Sequence, residues 1–137
     1  MKIMFVCKYN RFRSKIAEAY FNQKNKDKDI KVISAGFVVG SYALNEREVN
    51  LAKEMGVQIK GLPKPIRYED LIEQDLIVIV GDNIPVSVFK SKRFKKEILV
   101  WKIPDVYPGD SIKVLKGRIE MVKNKVDNLI KKLEKKK

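Results

Sequence analysis

The chain has 137 residues, 45% of them apolar, a length and composition that predict one folded domain spanning residues 1–137. One cysteine and no histidine exclude an intramolecular disulfide and a His-based triad and argue against a four-ligand zinc site, so we expect no metal or other cofactor. The net charge of +13 favours an anionic partner, such as a phosphorylated substrate, nucleic acid or an anionic surface.

Strand and helix patterns alternate along the chain. Short apolar or β-branched runs predict four strands, at Lys2–Val6, Ile30–Ala35, Leu76–Val80 and Glu97–Trp101. Helical spacing of apolar side chains predicts helices from Ser14 onward, over Asn45–Met55 and over Ile112–Leu133, with short helical turns at Tyr68–Gln74 and Ile84–Phe89. This alternation is typical of a three-layer α/β fold, a parallel sheet with helices on both faces.

The loop after the first strand is the first place to look for a ligand, because open parallel sheets bind ligands at the carboxyl ends of their strands. It begins with Cys7 and reads CKYNRFRS, a C-x5-R-S pattern between a strand and a helix. Backbone N–H groups at a helix N-terminus attract anions and favour a thiolate at Cys7. Arg13 can grip two phosphate oxygens, and Ser14 can donate a hydrogen bond to the sulfur. The pattern predicts phosphoryl transfer through a phosphocysteine.

The stretch from Phe5 to Ala19, FVCKYNRFRSKIAEA, resembles the signature of the low-molecular-weight protein tyrosine phosphatase family, which also contains arsenate reductases. The resemblance continues in Ser34-Ala35-Gly36 and in WKIPD at Trp101–Asp105, so that it covers essentially the whole chain. It implies a four-stranded parallel sheet of order 2-1-3-4. It also implies a metal-independent phosphomonoester hydrolase, a protein-tyrosine phosphatase above all, which acts on phosphotyrosine in proteins or on small aryl phosphates.

The resemblance assigns a role to several residues. Cys7 matches the nucleophile, Arg13 the phosphate-binding arginine and Asp105 the general acid. Asn10 matches the asparagine that holds the loop, in which a left-handed backbone is tolerated, and Tyr107 matches an aromatic wall of the pocket. The residues expected to bind substrate are Lys8, Tyr9, Asn10, Arg11, Phe12, Ser14 and Tyr107. Inorganic phosphate and arsenate are expected to compete for the same cradle.

The chain departs from the family pattern at four positions. Tyr9 stands where glycine is usual, and its side chain is expected to line or narrow the pocket mouth. Phe12 replaces a second cysteine and so removes a protective disulfide partner. Lys15 replaces proline, and Val106 replaces the proline after the general acid. These changes bear on substrate preference and rate more than on phosphate binding.

Other interpretations stay open on the sequence alone. With one cysteine, an arsenate reductase would need an external thiol, because the thioredoxin-coupled mechanism needs a relay of cysteines. A non-catalytic phosphate-binding module is a second alternative. A nucleic-acid-binding module is a third alternative, because the sequence contains a cluster of basic residues. Nucleic acid is not the favoured partner, because no aromatic-interleaved binding motif accompanies the cluster. That cluster consists of Lys90, Lys92, Arg93, Lys95 and Lys96.

Some secondary expectations concern single residues and the setting of the protein. Asp75 is expected to be a cap, Asp82 is a second candidate proton donor, and Tyr42 is a further candidate for the pocket wall. No apolar run approaches the roughly 20 residues that a membrane helix needs, and the first apolar stretch is shorter than the roughly 7–15 residues of a signal-peptide core. We therefore expect a cytoplasmic protein without a membrane partner. We also expect it to be a monomer.

Overall fold

The computed structural model describes residues 1–40, 43–90 and 96–136. The strands are β1 (Lys2–Cys7), β2 (Lys31–Gly36), β3 (Leu76–Val80) and β4 (Glu97–Trp101). The helices are α1 (Arg13–Lys24), α2 (Glu46–Glu54), α3 (Tyr68–Glu73) and α4 (Ile112–Lys135), and a short 3₁₀ turn covers Val86–Phe89. Tyr42, and the basic-cluster residues Lys92, Arg93 and Lys95, lie outside the described residues.

The four strands form one parallel sheet in the order β2-β1-β3-β4, which confirms the predicted fold class. β1 lies between β2 and β3, with Cys7 opposite Gly36 of β2 and Val6 opposite Ile79 of β3. The chain therefore reverses its direction of winding at β1. The carboxyl end of that strand is the position at which an open α/β sheet binds ligands.

Apolar side chains cover both faces of the sheet. On one face, residues of α1 and α4 such as Ile16, Phe21 and Ile119 pack with Phe5 of β1. On the other face, Met4 of β1 packs with Leu71 of α3 and with Phe89 of the 3₁₀ turn. Because β1 and β3 are covered on both sides, their sequences are continuously apolar rather than alternating.

Side-chain caps are present at the start of α2 and of α4. Asn45 caps α2 by accepting a hydrogen bond from Glu48 N, and Ser111 caps α4 by accepting one from Val114 N. The N-cap of α1 is Phe12, without a side-chain hydrogen bond. Ser14, from which the sequence predicts this helix, lies in its first turn, and its hydroxyl is bonded to Cys7 inside the loop that precedes α1. Within the described residues, no helix combines the length and the apolar character needed to cross a bilayer.

Candidate active site

The loop between β1 and α1 is held by Asn10, which is fully buried. Asn10 has a φ of 54°, the left-handed conformation expected of it. Its amide nitrogen donates to Ser14 Oγ at 2.8 Å and to Ser34 Oγ at 3.0 Å, and its amide oxygen accepts from Lys64 N at 2.8 Å. These three bonds tie the loop to its own helix, to β2 and to the segment before α3.

Cys7 is the last residue of β1, directly before this loop, and 2% of its surface is exposed. Asn10 N donates to Cys7 Sγ at 3.2 Å, and Ser14 Oγ lies 2.9 Å from the same sulfur. Since Asn10 already donates to Ser14 Oγ, the serine hydroxyl is free to donate its own proton to the sulfur. The sulfur is therefore the acceptor of two hydrogen bonds, which hold it in a fixed position inside the loop.

Gly36 is needed for the close approach of β2 to this loop. A Cβ atom at that position would lie 2.9 Å from Tyr9 C and 3.0 Å from Asn10 Cβ. The glycine of the Ser-Ala-Gly segment is therefore a packing requirement of the Cys7 loop.

Arg13 is buried, with 1% of its surface exposed, and its guanidinium reaches the ends of β3 and β4. Nη1 donates to Ile103 O at 2.9 Å, and Nη2 donates to Asn83 Oδ1 at 3.1 Å. Nη2 also lies 3.1 Å from Asp105 Oδ2. A Cβ atom on Gly81 would lie 2.6 Å from Nη1, so this glycine makes room for the arginine.

Asp105 is brought to the site by the loop between β4 and α4. Its Oδ2 accepts from Asn83 Nδ2 at 3.2 Å and pairs with Arg13, and its Oδ1 accepts from Val106 N at 2.8 Å. The carboxyl group therefore has a fixed direction, although the residue is only partly buried.

Asn83 is a site residue that the sequence analysis missed. It bonds both Arg13 and Asp105, whereas its neighbour Asp82 is exposed and does not line the cavity. The available signal was its position, two residues after Gly81, at the end of the strand that pairs with β1. Asp75, which was expected to be a cap, accepts a hydrogen bond from Lys2 N at 2.8 Å and so joins the start of β1 to the residue before β3, whereas the C-cap of α3 is Gln74.

A cavity of about 280 Å³ opens above the cysteine. Tyr9 and Tyr107 are 40% and 62% exposed and form part of its rim. Lys8, Asn10 and Ser14, which were predicted to bind substrate, do not line it; Lys8 Nζ lies over the Tyr9 ring, and the other two support the loop from behind. The lining residues are Cys7, Tyr9, Arg11, Phe12, Arg13, Asn45, Glu48, Asp105, Val106, Tyr107 and Pro108.

Glu48 lines this cavity and is, after Asn83, another site residue that the sequence analysis missed. Burial raises the pKa of its carboxyl group, and the negative charges of Asp105 and Asp110 act in the same direction. The charges of Arg11 and Arg47 oppose the shift. The cavity therefore contains a second carboxyl group in addition to Asp105.

Lys15, the residue at the usual proline position, is 4% exposed, and its Nζ donates to Leu62 O at 3.1 Å. Burial lowers the pKa of this lysine, and the nearby carboxylate of Glu18 partly offsets the effect. The bond ties α1 to the segment whose Lys64 N holds Asn10. The lysine thus supports the Cys7 loop from outside the cavity.

A sequence model of the family described as low molecular weight phosphotyrosine protein phosphatase matches residues 2–137. The chain therefore belongs to this family, as the resemblance of the Cys7 loop implied.

Relatives of this chain have more than one activity. A glutaredoxin arsenate reductase from Synechocystis sp. is 29% identical over 136 residues, which cover 96% of this chain and 98% of that protein. The structure of a low molecular weight protein tyrosine phosphatase from T. tengcongensis is 29% identical with a TM-score of 0.82, covering 96% of this chain and 99% of the other. The YwlE arginine phosphatase from Geobacillus stearothermophilus is 20% identical with a TM-score of 0.83, covering 98% and 94%, a likeness that concerns the fold alone.

Proposed function

We propose that this protein is a phosphomonoester hydrolase that acts through a phosphocysteine at Cys7 and needs no metal ion. The observation that carries the proposal is the meeting of three groups at one cavity. A sulfur that receives two hydrogen-bond donors lies at its base, and Arg13 and Asp105 line the same space. These groups supply a nucleophile, an anion-binding fork and a proton donor.

In the first step, the Cys7 thiolate attacks phosphorus and forms the S–P bond while the ester P–O bond breaks. The guanidinium of Arg13 and the N–H groups of the loop stabilise the negative charge of the phosphoryl oxygens. Asp105, in its protonated form, gives its proton to the leaving oxygen, so that an alcohol or a phenol departs.

In the second step, water attacks the phosphorus of the phosphocysteine. The Asp105 carboxylate takes a proton from that water as the new P–O bond forms and the S–P bond breaks. Inorganic phosphate leaves, the thiolate returns, and Asp105 is again protonated for the next cycle. Each group ends in the state in which it began.

Phosphotyrosine in proteins and small aryl phosphates are the proposed substrates. Tyr9 and Tyr107 at the rim and Phe12 in the wall give the cavity aromatic surface on which a phenyl ring can pack. The protein family to which the chain belongs supports the same choice.

Arsenate reduction with an external thiol is the second candidate, and the Synechocystis relative favours it. Arsenate has the shape and charge of phosphate and suits the same cradle. Because Cys7 is the only cysteine, the two electrons that convert As(V) to As(III) would come from Cys7 and one external thiol, which end joined in a mixed disulfide. A second external thiol would then reduce that disulfide.

Hydrolysis of p-nitrophenyl phosphate with EDTA present tests the main proposal, and Cys7→Ser is the matched variant. We expect turnover by the wild type, none by Cys7→Ser, and phosphate binding by both, because the loop and Arg13 remain. Turnover by Cys7→Ser near the wild-type rate contradicts the proposal. Arsenite release from arsenate with glutathione and glutaredoxin, in the absence of ester hydrolysis, favours the second candidate.

A further inference from the structure

Glu48 lies on the first turn of α2, on the side of the helix that faces the cavity above Cys7. Asn45 caps this helix by accepting from Glu48 N at 3.1 Å, and both residues line the cavity above Cys7. Their neighbour Glu46 is exposed and lines a different groove with Ile112. One of the two glutamates of this turn is therefore part of the cavity and the other is not.

A carboxylate in this cavity works against the binding of a phosphoryl group, since both are negative. The ionised form of Glu48 is also unfavourable without any substrate, because burial and the nearby charges of Asp105 and Asp110 raise the pKa of this residue. Arg11 reduces the penalty, and its Nη2 is bonded to Ala43 O at 3.0 Å, just before α2. A negative group held in an anion-binding cavity is useful if the substrate carries a positive charge on its leaving group.

We propose that Glu48 is a specificity-determining residue that selects phosphomonoesters with a cationic group on the leaving group. The inference rests on the proposed phosphatase function and deepens it. Cys7 and Arg13 take the phosphoryl end, the aromatic rim takes the ring, and Glu48 pairs with a positive charge beyond the ring. Leaving groups with a negative charge at that place are rejected. The substrate class is thus a cationic aryl phosphate, such as phosphotyrosine beside a basic side chain.

A structural role for Glu48 makes a different prediction. If its carboxylate only holds Arg11 in place, its removal alters the turnover of every substrate by the same factor. If it selects charge, its removal lowers turnover of cationic substrates and raises that of anionic ones. The ratio of the two is therefore the informative quantity.

The test uses three phenyl phosphates of similar size with methyl, aminomethyl or carboxylate groups in the para position. We expect the wild type to prefer the aminomethyl ester to the carboxylate ester. In Glu48→Gln we expect the kcat/KM of the aminomethyl ester divided by that of the carboxylate ester to fall on the order of fivefold. A loss of this size is typical for the removal of one partly exposed charge pair. Comparing variants cancels differences in leaving-group acidity. Glu46→Gln, on the same helical turn, is the control and keeps the wild-type ratio.

Binding separates this inference from the proposed function. Matched benzylphosphonates with the same para groups cannot be hydrolysed, and their affinities are measured by calorimetry with Cys7→Ser and with Cys7→Ser/Glu48→Gln. If the wild type hydrolyses no ester, the proposed function fails while the phosphonates still report on Glu48. The inference is overturned by a cation-to-anion binding ratio that is the same in these two proteins, or by a kcat/KM ratio that Glu46→Gln changes as much as Glu48→Gln does.

Discussion

Arg13 Nη2 and Asp105 Oδ2 lie 3.1 Å apart, and the side-chain amide of Asn83 bonds both residues. In the proposed mechanism this guanidinium binds the phosphoryl group and this carboxyl group is the proton donor. The ion pair and the shared amide fix the position of each group relative to the other.

Asn83→Ala is expected to lower kcat/KM for aryl phosphates about tenfold, because both Arg13 and Asp105 lose a hydrogen-bond partner that fixes their direction. The loss should be smaller in an Asp105→Asn background, since one of the two partners is then already altered. Steady-state kinetics of the two single variants and the double variant measure this. Asp82→Ala, an exposed neighbour, is the control, and an equal loss in both backgrounds contradicts the coupling.

The fold and the Cys7 loop were predictable from local sequence. β1 and β3 are continuously apolar, α4 has a clear apolar stripe, and Cys7, Arg13 and Ser14 belong to one short segment. Adjacent residues of this kind need no tertiary information to be placed together.

Asn83 and Glu48 could not be found in that way. Asn83 reaches the site because β3 pairs with β1, and Glu48 because the N-terminal turn of α2 faces the cavity. Both relations depend on how distant elements pack. The burial of Lys15 was also beyond the sequence, because lysine is ordinarily exposed and its acceptor, Leu62 O, belongs to a distant loop.

Arg13→Lys is expected to behave as a severe change. Lysine carries the same charge but has no planar fork, and it cannot reproduce the contacts with Ile103 O, Asn83 and Asp105 together. We expect kcat/KM for p-nitrophenyl phosphate to fall by on the order of 10² or more. Arg67→Lys, at an exposed ion pair with Asp70, is the control. A loss under about threefold for Arg13→Lys argues against direct contact with the phosphoryl group.

The contribution of Glu48 to the free energy of unfolding should fall as the pH rises. Its pKa is raised in the folded protein, so between the ordinary value of 4.5 and the raised value the folded state binds more protons than the unfolded state. Stability from this group is present below that window and is lost as the pH rises through it. The side-chain amide in Glu48→Gln does not titrate. The free energy of unfolding of this variant minus that of the wild type should therefore be larger at neutral pH than at pH 4.

Denaturant unfolding of both proteins at the two pH values measures that difference, and Glu46→Gln provides the comparison for an exposed glutamate. A relative stability of Glu48→Gln that is lower at neutral pH than at pH 4 contradicts the expected sign. Such a result means that Arg11 and Arg47 outweigh burial at this carboxyl group.

Asp105→Asn tests the proton donor. A poor leaving group must be protonated as the P–O bond breaks, whereas p-nitrophenolate departs with less assistance. The rate should therefore fall by about 10²–10⁴ for phosphotyrosine and by less for p-nitrophenyl phosphate. The asparagine has one side-chain oxygen where Asp105 has two, so it cannot accept from both Asn83 Nδ2 and Val106 N as Asp105 does. The difference in loss between the two substrates, and not the loss common to both, therefore reports on the proton donor.

The pH dependence of the same variant gives an independent measure. The proposed mechanism requires a protonated acid and a thiolate in the same molecule, so we expect kcat/KM to fall at high pH if Asp105 is that acid. An amide does not titrate, and that basic limb should flatten in Asp105→Asn. Profiles with substrates of graded leaving-group acidity test both effects. Equal losses for all leaving groups, together with an unchanged basic limb, mean that Asp105 only shapes its loop. The proton then comes from another group at the cavity, and Glu48 is the carboxyl group to substitute next.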